Sequence, residues 1–164
     1  MEPTPKRADE SATEMVQVVL PNDANPLGFM LGGSVMHLID SAGAIACNRH
    51  TRTAMLTAAV DSVQFMHPIR IGDLIVLRAT VTAAFTTSLE VEVQVYSEGA
   101  LTGERTLTSV AYLTFVSVAA DGRRLVVPPL QLDTPAEQAK AQAAATRREA
   151  RLAAKTALRR EMKS

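Results

Sequence analysis

The sequence predicts an α+β fold, an antiparallel sheet wrapped around a central helix, with an added C-terminal helix. Three observations carry this. From Gly32 to about His50, "GGSVMHLIDSAGAIACNRH" lacks proline and is apolar around most of its circumference, so as a helix it must be buried. Segments of strand character follow, separated by short turn-bearing connections that favour antiparallel neighbours. Residues 136–164 are dominated by Ala, Arg, Lys, Gln and Glu, all strong helix formers.

Taken in order, "TEMVQVVL" reads as the first strand, and "LPNDANPLG" ends it with Pro, Asn, Asp and Gly. The apolar helix comes next. After it, "MLTAAVDSVQF", "LIVLRATVTAAF", "TSLEVEVQVYS" and "ERTLTSVAYLTFVSV" read as strands, divided by "HPIRIGD", "TT" and "EGALTG". "LEVEVQVYS" alternates strictly, the pattern of a sheet with one wet face. "DTPAEQ" then supplies an N-cap, a Pro in the first turn and a Glu close behind. The organisation expected is a flexible N-terminus over 1–12, one domain over 13–133 and a basic helical tail over 134–164.

Composition limits the function classes. A chain of 164 residues with 47% hydrophobic and 21% charged residues and no net charge is that of an ordinary globular domain, and nothing in it asks for nucleic acid. Cys47 is the only cysteine, so no internal disulfide or cysteine-cluster metal site is expected, and it reads as a small buried hydrophobe. The three histidines are dispersed without ligand spacing, so no metal is expected either. With no apolar leader and no uncharged apolar run long enough to span a bilayer, the expectation is a cytoplasmic protein. Charge is unevenly spread: residues 136–164 hold 8 of the 17 basic residues and 3 of the 17 acidic ones, a tail of +5 on a body of −5. Its apolar face is mostly Ala, with Leu152, Leu158 and Met162. The tail therefore reads as a solvated or shallowly docked helix, whose deletion should leave a folded domain, or as an electrostatic element for an anionic ligand or partner.

One residue on the central helix is out of place. A helix with apolar residues nearly all round should exclude a carboxylate, because burying one unpaired costs several kcal/mol unless something uses it. Asp40 is there nonetheless. Ser34, His37 and Asp40 do not explain it as a triad: stepping about 300° each time, Ser34 and Asp40 end about 120° and about 9 Å apart. His67 reads as a solvent-facing histidine, and Asp61 in mid-strand has no role that periodicity supplies.

The spacing N-x-x-G-x-x-x-G-G-x-x-M-x-x-x-D, here Asn25, Gly28, Gly32, Gly33, Met36 and Asp40, resembles the active-site loop and helix of hotdog-fold acyl-CoA thioesterases, YciA-like and brain acyl-CoA hydrolase type. "AAVDSVQFMHPIRIGD", "TTSLEVEVQVYSE" and "AYLTFVSVAADGRRLVVPPL" extend the likeness over roughly residues 13 to 130. The resemblance implies a β-α-β-β-β-β sheet wrapped round the helix, homodimers made by pairing two sheets side by side and open to assembly into hexamers (trimers of dimers), and hydrolysis of acyl-CoA to fatty acid and CoA. Coenzyme A enters only as part of the substrate, and no other cofactor is implied. Asn25 and Asp40 are implied as the catalytic pair, facing each other from different subunits. Thr86, Thr87 and Ser88 resemble the loop on the nucleotide side, though a plain hairpin turn would also explain them. Arg70, Arg123 and Arg124 are further candidates for the phosphates of CoA.

Chemistry supports these assignments independently. Thioester hydrolysis needs a base or nucleophile, which Asp40 can supply, and donors at the carbonyl oxygen where negative charge develops. Asn25 can orient water or donate to that oxygen. The free N–H groups where the helix begins, at Gly32 and Gly33, add donors, unless the two glycines merely make a tight turn. A non-catalytic CoA-binding or regulatory protein of the same fold is the alternative, since binding and catalytic residues overlap. A hydratase would want His five residues after the Asp, where this chain has Ile45.

Overall fold

The computed structural model describes residues 3–163. Its elements run β1 (Lys6–Arg7), β2 (Thr13–Val18), α1 (Gly32–Thr51), β3 (Ala54–Phe65), β4 (Leu74–Ala84), β5 (Ser88–Glu98), β6 (Arg105–Val118), β7 (Leu130–Gln131) and α2 (Pro135–Glu161). β2 to β6 form one five-stranded antiparallel sheet in the order β2-β4-β5-β6-β3. With α1 packed on its inner face, this is the hotdog arrangement that the resemblance implies.

One side of α1 is held in the curve of the sheet; His37, Ile45, Asn48 and Arg49 are exposed on the other, so within one chain the helix expected to be buried on most sides is covered on one side only. Val35, Leu38, Ile39, Ala42 and Ala46 are buried against Ile75, Leu77, Val91, Val93, Leu113 and Phe115, which face inward from β4, β5 and β6. Cys47 lies in the same core, where burial pushes its thiol pKa up. The closest approach is at Gly43, where an added Cβ would stand 2.9 Å from the Phe115 ring. Gly43→Ala should therefore lower stability by about 1–2 kcal/mol, because overpacking a filled core outweighs the helix preference of Ala. A thermal melt checks this: a midpoint equal to or above that of the wild type would show that the ring yields.

Three expectations need correction. Short connections do join β4 to β5 and β5 to β6, but β3 does not pair with β4; it crosses to the far edge and pairs with β6. The connection 66–73 instead runs across the end of the sheet and docks on the loop before α1, through Met30 N–H to Ile69 O and Ile71 N–H to Gly28 O. The N-terminal segment expected to be flexible is packed. Lys6 and Arg7 pair in parallel with Leu130 and Gln131, Lys6 Nζ donates to Arg49 O, and Ala8 and Ser11 are buried; residues 1 and 2 of that expectation lie outside the described residues.

The third concerns the tail, read as solvated or shallowly docked. Its apolar face is as thin as the sequence suggests, with Ala144 the buried residue, and of the two alternatives α2 is docked rather than solvated. It lies across the outer face of the sheet, held by charge. Arg147 donates twice to Glu90 at 2.9 and 2.8 Å, Lys140 donates to Glu92 at 2.9 Å, and Arg151 grips both oxygens of Asp61. Arg147 also stacks 3.7 Å over the Tyr112 ring. The alternation in β5 does give two faces, but the one read as wet is covered: Glu90 is 1% and Glu92 6% exposed.

Candidate active site

Asn25 opens a loop that folds back on itself. Its backbone N–H donates to Phe29 O, and its side-chain Oδ1 accepts from the N–H groups of Leu27 and Phe29 at 3.0 and 3.2 Å. Gly28, at φ +82°, makes the turn possible. Two backbone donors on Oδ1 fix the orientation of the amide, so Nδ2 is left as a directed donor with no partner among the described residues. It borders a cavity of about 390 Å³ together with Gly32, Phe65 and His67. At the rim α1 begins at a leucine N-cap, Leu31, with no side-chain cap, so the first N–H groups of the helix remain open donors.

Gly32 packs its Cα against the Phe65 ring, and a Cβ there would meet the ring at 3.6 Å. Gly33 faces away, into a neighbouring cavity with Ser34 and His37. The two glycines thus present donors to different spaces within one chain. His67 is exposed, as expected, but stands on the Asn25 side.

Asp40 lies two turns further along α1, about 12 Å from the start of the helix. Half-buried, it accepts a hydrogen bond of 2.6 Å from Thr57 Oγ1 on β3, while Oδ2 has no partner among the described residues. Asp40 does not border the Asn25 cavity. Within a single chain the two candidate residues are held apart, each in a fixed pose.

Thr57 went unnoticed in the sequence, where one Thr in "MLTAAV" carries no periodic signal. β3 also explains Asp61. The strand has irregularities between Thr57 and Ala59 and between Val60 and Ser62, and the second turns Asp61 outward toward Arg151. Thr86, Thr87 and Ser88 gather with Arg124 around a separate cavity under α2. Arg70 is not part of that group: it bridges to Phe29 beside the Asn25 loop, its guanidinium 6.0 Å from that ring. Arg123 is paired with Asp121.

Residues 27–104 match the thioesterase superfamily. An acyl-CoA thioester hydrolase of Bacillus subtilis is 36% identical over 135 residues, 82% of this chain and 78% of the relative. The chain belongs to the acyl-CoA thioesterases. Among solved structures, a hexameric acyl-CoA thioesterase is 38% identical at a TM-score of 0.86, covering 90% of this chain and 95% of its own. An acyl-CoA hydrolase from Staphylococcus aureus, solved with butyryl-CoA and CoA, is 32% identical at a TM-score of 0.88, covering 96% of both chains. That thioesterase has also been solved as alanine variants at an Asn, at an Asp fifteen residues on, and at a Thr a further seventeen on. Asn25, Asp40 and Thr57 stand at the same intervals here. The chain spans only 25% of the length of mouse acetyl-CoA thioesterase, to which it is 33% identical. No helix among the described residues is long and apolar enough to cross a membrane.

Proposed function

We propose that this protein hydrolyses acyl-CoA thioesters, with Asp40 as base or nucleophile and Asn25 as the donor that polarises the thioester carbonyl. The observation that carries the reading is the pose of these two side chains: Asn25 is locked by its own loop with its N–H groups outward, and Asp40 is aimed by Thr57 with one oxygen free. In the reaction, Asp40 takes a proton from water as the water oxygen attacks the carbonyl carbon, or its carboxylate attacks directly to form an acyl anhydride that water then hydrolyses to free acid and Asp40. The amide of Asn25 and the open N–H group at Gly32, which border one cavity, receive the developing oxyanion, while Gly33 faces elsewhere. The carbon–sulfur bond then breaks, and the CoA thiolate leaves and is protonated. The matching intervals in the S. aureus enzyme support the same three residues. Release of free thiol from acetyl-, octanoyl- and palmitoyl-CoA tests the proposal. Turnover of any of them supports it, and binding without release would favour the non-catalytic alternative.

The site is shared between two copies, and a further assembly of dimers follows the pattern of the hexameric neighbour. β3 is an edge strand whose Leu56, Val60 and Phe65 are all exposed. An uncovered apolar edge of this length invites a second copy. If two β3 strands pair antiparallel about a two-fold axis, the Phe65 end of one, which borders the Asn25 cavity, lies beside the Thr57 end of the other, which holds Asp40.

Asn25→Ala and Asp40→Ala prepared separately should each be nearly inactive. When they are unfolded and refolded together, half the dimers are mixed and each carries one intact site, so activity should return to about a quarter of the wild type. Mixed dimers confirmed by mass but still inactive would place both residues in one chain and end the shared-site model.

A further inference from the structure

The inner face of β6 ends on a polar residue. Alternating positions carry Phe115, Leu113 and Ala111 into the core, all fully buried, and the next inward position is Ser109. Its two cross-strand neighbours fix the direction of the side chain. Ser109 is in register with Val95 of β5, a core residue, and with Phe65 of β3, whose ring packs against Gly32 at the start of α1. Residues opposite one another in a sheet share a face, so the Ser109 hydroxyl points toward α1.

It points into the Asn25 cavity, whose lining it joins. That cavity is graded from rim to floor: Phe65, Met66 and His67 are exposed, whereas Met30, Val35 and Ile69 are buried. Ser109 belongs to the floor. It is 1% exposed, and its hydroxyl has no hydrogen-bond partner among the described residues. Thr108 beside it is buried too, but donates to Val95 O at 3.0 Å. A buried hydroxyl without a partner is costly, so the place of this one is explained by a group that enters the cavity.

The lining limits what that group is. No Asp, Glu, Lys or Arg borders the cavity, and His67 stands at its rim, so nothing on the floor would balance a charge. A serine hydroxyl both donates and accepts, which suits a neutral hydroxyl or keto oxygen. With the Asn25 amide and the Gly32 N–H taken up by the thioester carbonyl, the acyl chain lies along the same wall toward the floor. Ser109 is one strand spacing, about 4.8 Å, from Phe65 beside Gly32, within reach of an oxygen on the third or fourth carbon of the chain. A plain hydrocarbon would fill the floor, exclude water and leave the hydroxyl unpaired.

We infer that the Asn25 cavity receives the acyl group of the substrate, and that Ser109 selects a chain bearing a hydroxyl or keto oxygen over the plain hydrocarbon of the same length. The inference rests on the proposed function and narrows its substrate class. Ser109 is on this account a specificity residue, with no part in the chemical step.

The test uses the full chain with both enantiomers of 3-hydroxybutyryl-CoA and with 4-oxopentanoyl-CoA, each against butyryl- or pentanoyl-CoA of equal length. At least one oxygen-bearing chain should exceed its plain counterpart in kcat/KM by about tenfold, the scale of one buried hydrogen bond. Ser109→Ala should bring that ratio down about tenfold. A residue that only packs would lower both substrates together and leave the ratio alone. The thioethers S-(3-hydroxybutyl)-CoA and S-(4-oxopentyl)-CoA, against S-butyl- and S-pentyl-CoA, give the same preference as a ratio of Kd values in calorimetry, with nothing to hydrolyse. A ratio near one in the wild type by both measurements, or a ratio that Ser109→Ala leaves in place, overturns the inference whether or not thioesters are hydrolysed; Ser109 would then hold water alone. A preference in thioether binding that Ser109→Ala abolishes, in a chain that releases thiol from none of the thioesters, would instead sink the proposed function and leave the selectivity of the cavity standing.

Discussion

Asp40→Asn is expected to lower kcat by about 10²–10⁴-fold, the range that a positioned base contributes. The change is nearly isosteric. The amide oxygen of Asn can still accept the bond from Thr57 Oγ1, so α1 should stay docked and the thermal midpoint should move little. Affinity for CoA should persist too, because the change keeps the shape of the side chain and its bond to Thr57. Loss of kcat with KM and stability kept is the signature of an interaction made in the transition state. It separates chemistry from packing, since a purely structural carboxylate would show the reverse. A variant with wild-type kcat would remove Asp40 from the mechanism.

Arg147→Met should cost about 3–5 kcal/mol of stability, the effect of stranding one member of a buried ion pair. Glu90 accepts two bonds from Arg147 and a third from Thr82 Oγ1 at 2.7 Å, and its side chain is 2% exposed. That partnership runs both ways, for the bond to Glu90 also raises the pKa of the guanidinium. Met keeps much of the length of Arg147 over the Tyr112 ring, but leaves Glu90 charged, buried and short of donors. In a chain of this size the thermal midpoint should fall by roughly 6–20 °C. Adding Glu90→Gln should restore a large part of the loss, because a neutral amide tolerates burial far better than an unpaired carboxylate. A single variant within 1 kcal/mol of the wild type would mean that α2 lifts and water reaches Glu90 cheaply. The helix would then be the loose appendage that its thin apolar face suggests.

Each point of success or failure in reading the sequence has a local cause. α1 was legible as a helix because its run is free of proline and carries apolar residues at helical spacing, and those residues have one stable destination, the inner face of a sheet. β2 to β6 were legible because turn residues and β-branched runs are local signals. Asp40 could be singled out because a carboxylate on an apolar helix breaks a local rule, and Asn25 because its spacing to the two glycines and that Asp resembles a family motif.

What local rules do not contain is which segments meet. Alternation showed that Glu90 and Glu92 share a face with each other, but not that a basic helix some fifty residues later covers that face. The crossing of β3 to the far edge was equally invisible, since a short connection favours a hairpin until the loop before α1 offers 66–73 somewhere else to dock. Thr57 met Asp40 only when β3 was laid beside α1, and Thr114, Arg124 and Lys155 came to line one cavity only when α2 closed over the outer face of the sheet. The sequence by itself determined the elements and the core helix and marked Asn25 and Asp40 as candidates, because propensity, turn chemistry and burial pattern act over a few neighbouring residues. Tertiary structure alone decided strand order, the clamp on α2 and the cavity beneath it, because these depend on charges and hydroxyls brought together from segments that share no pattern along the chain.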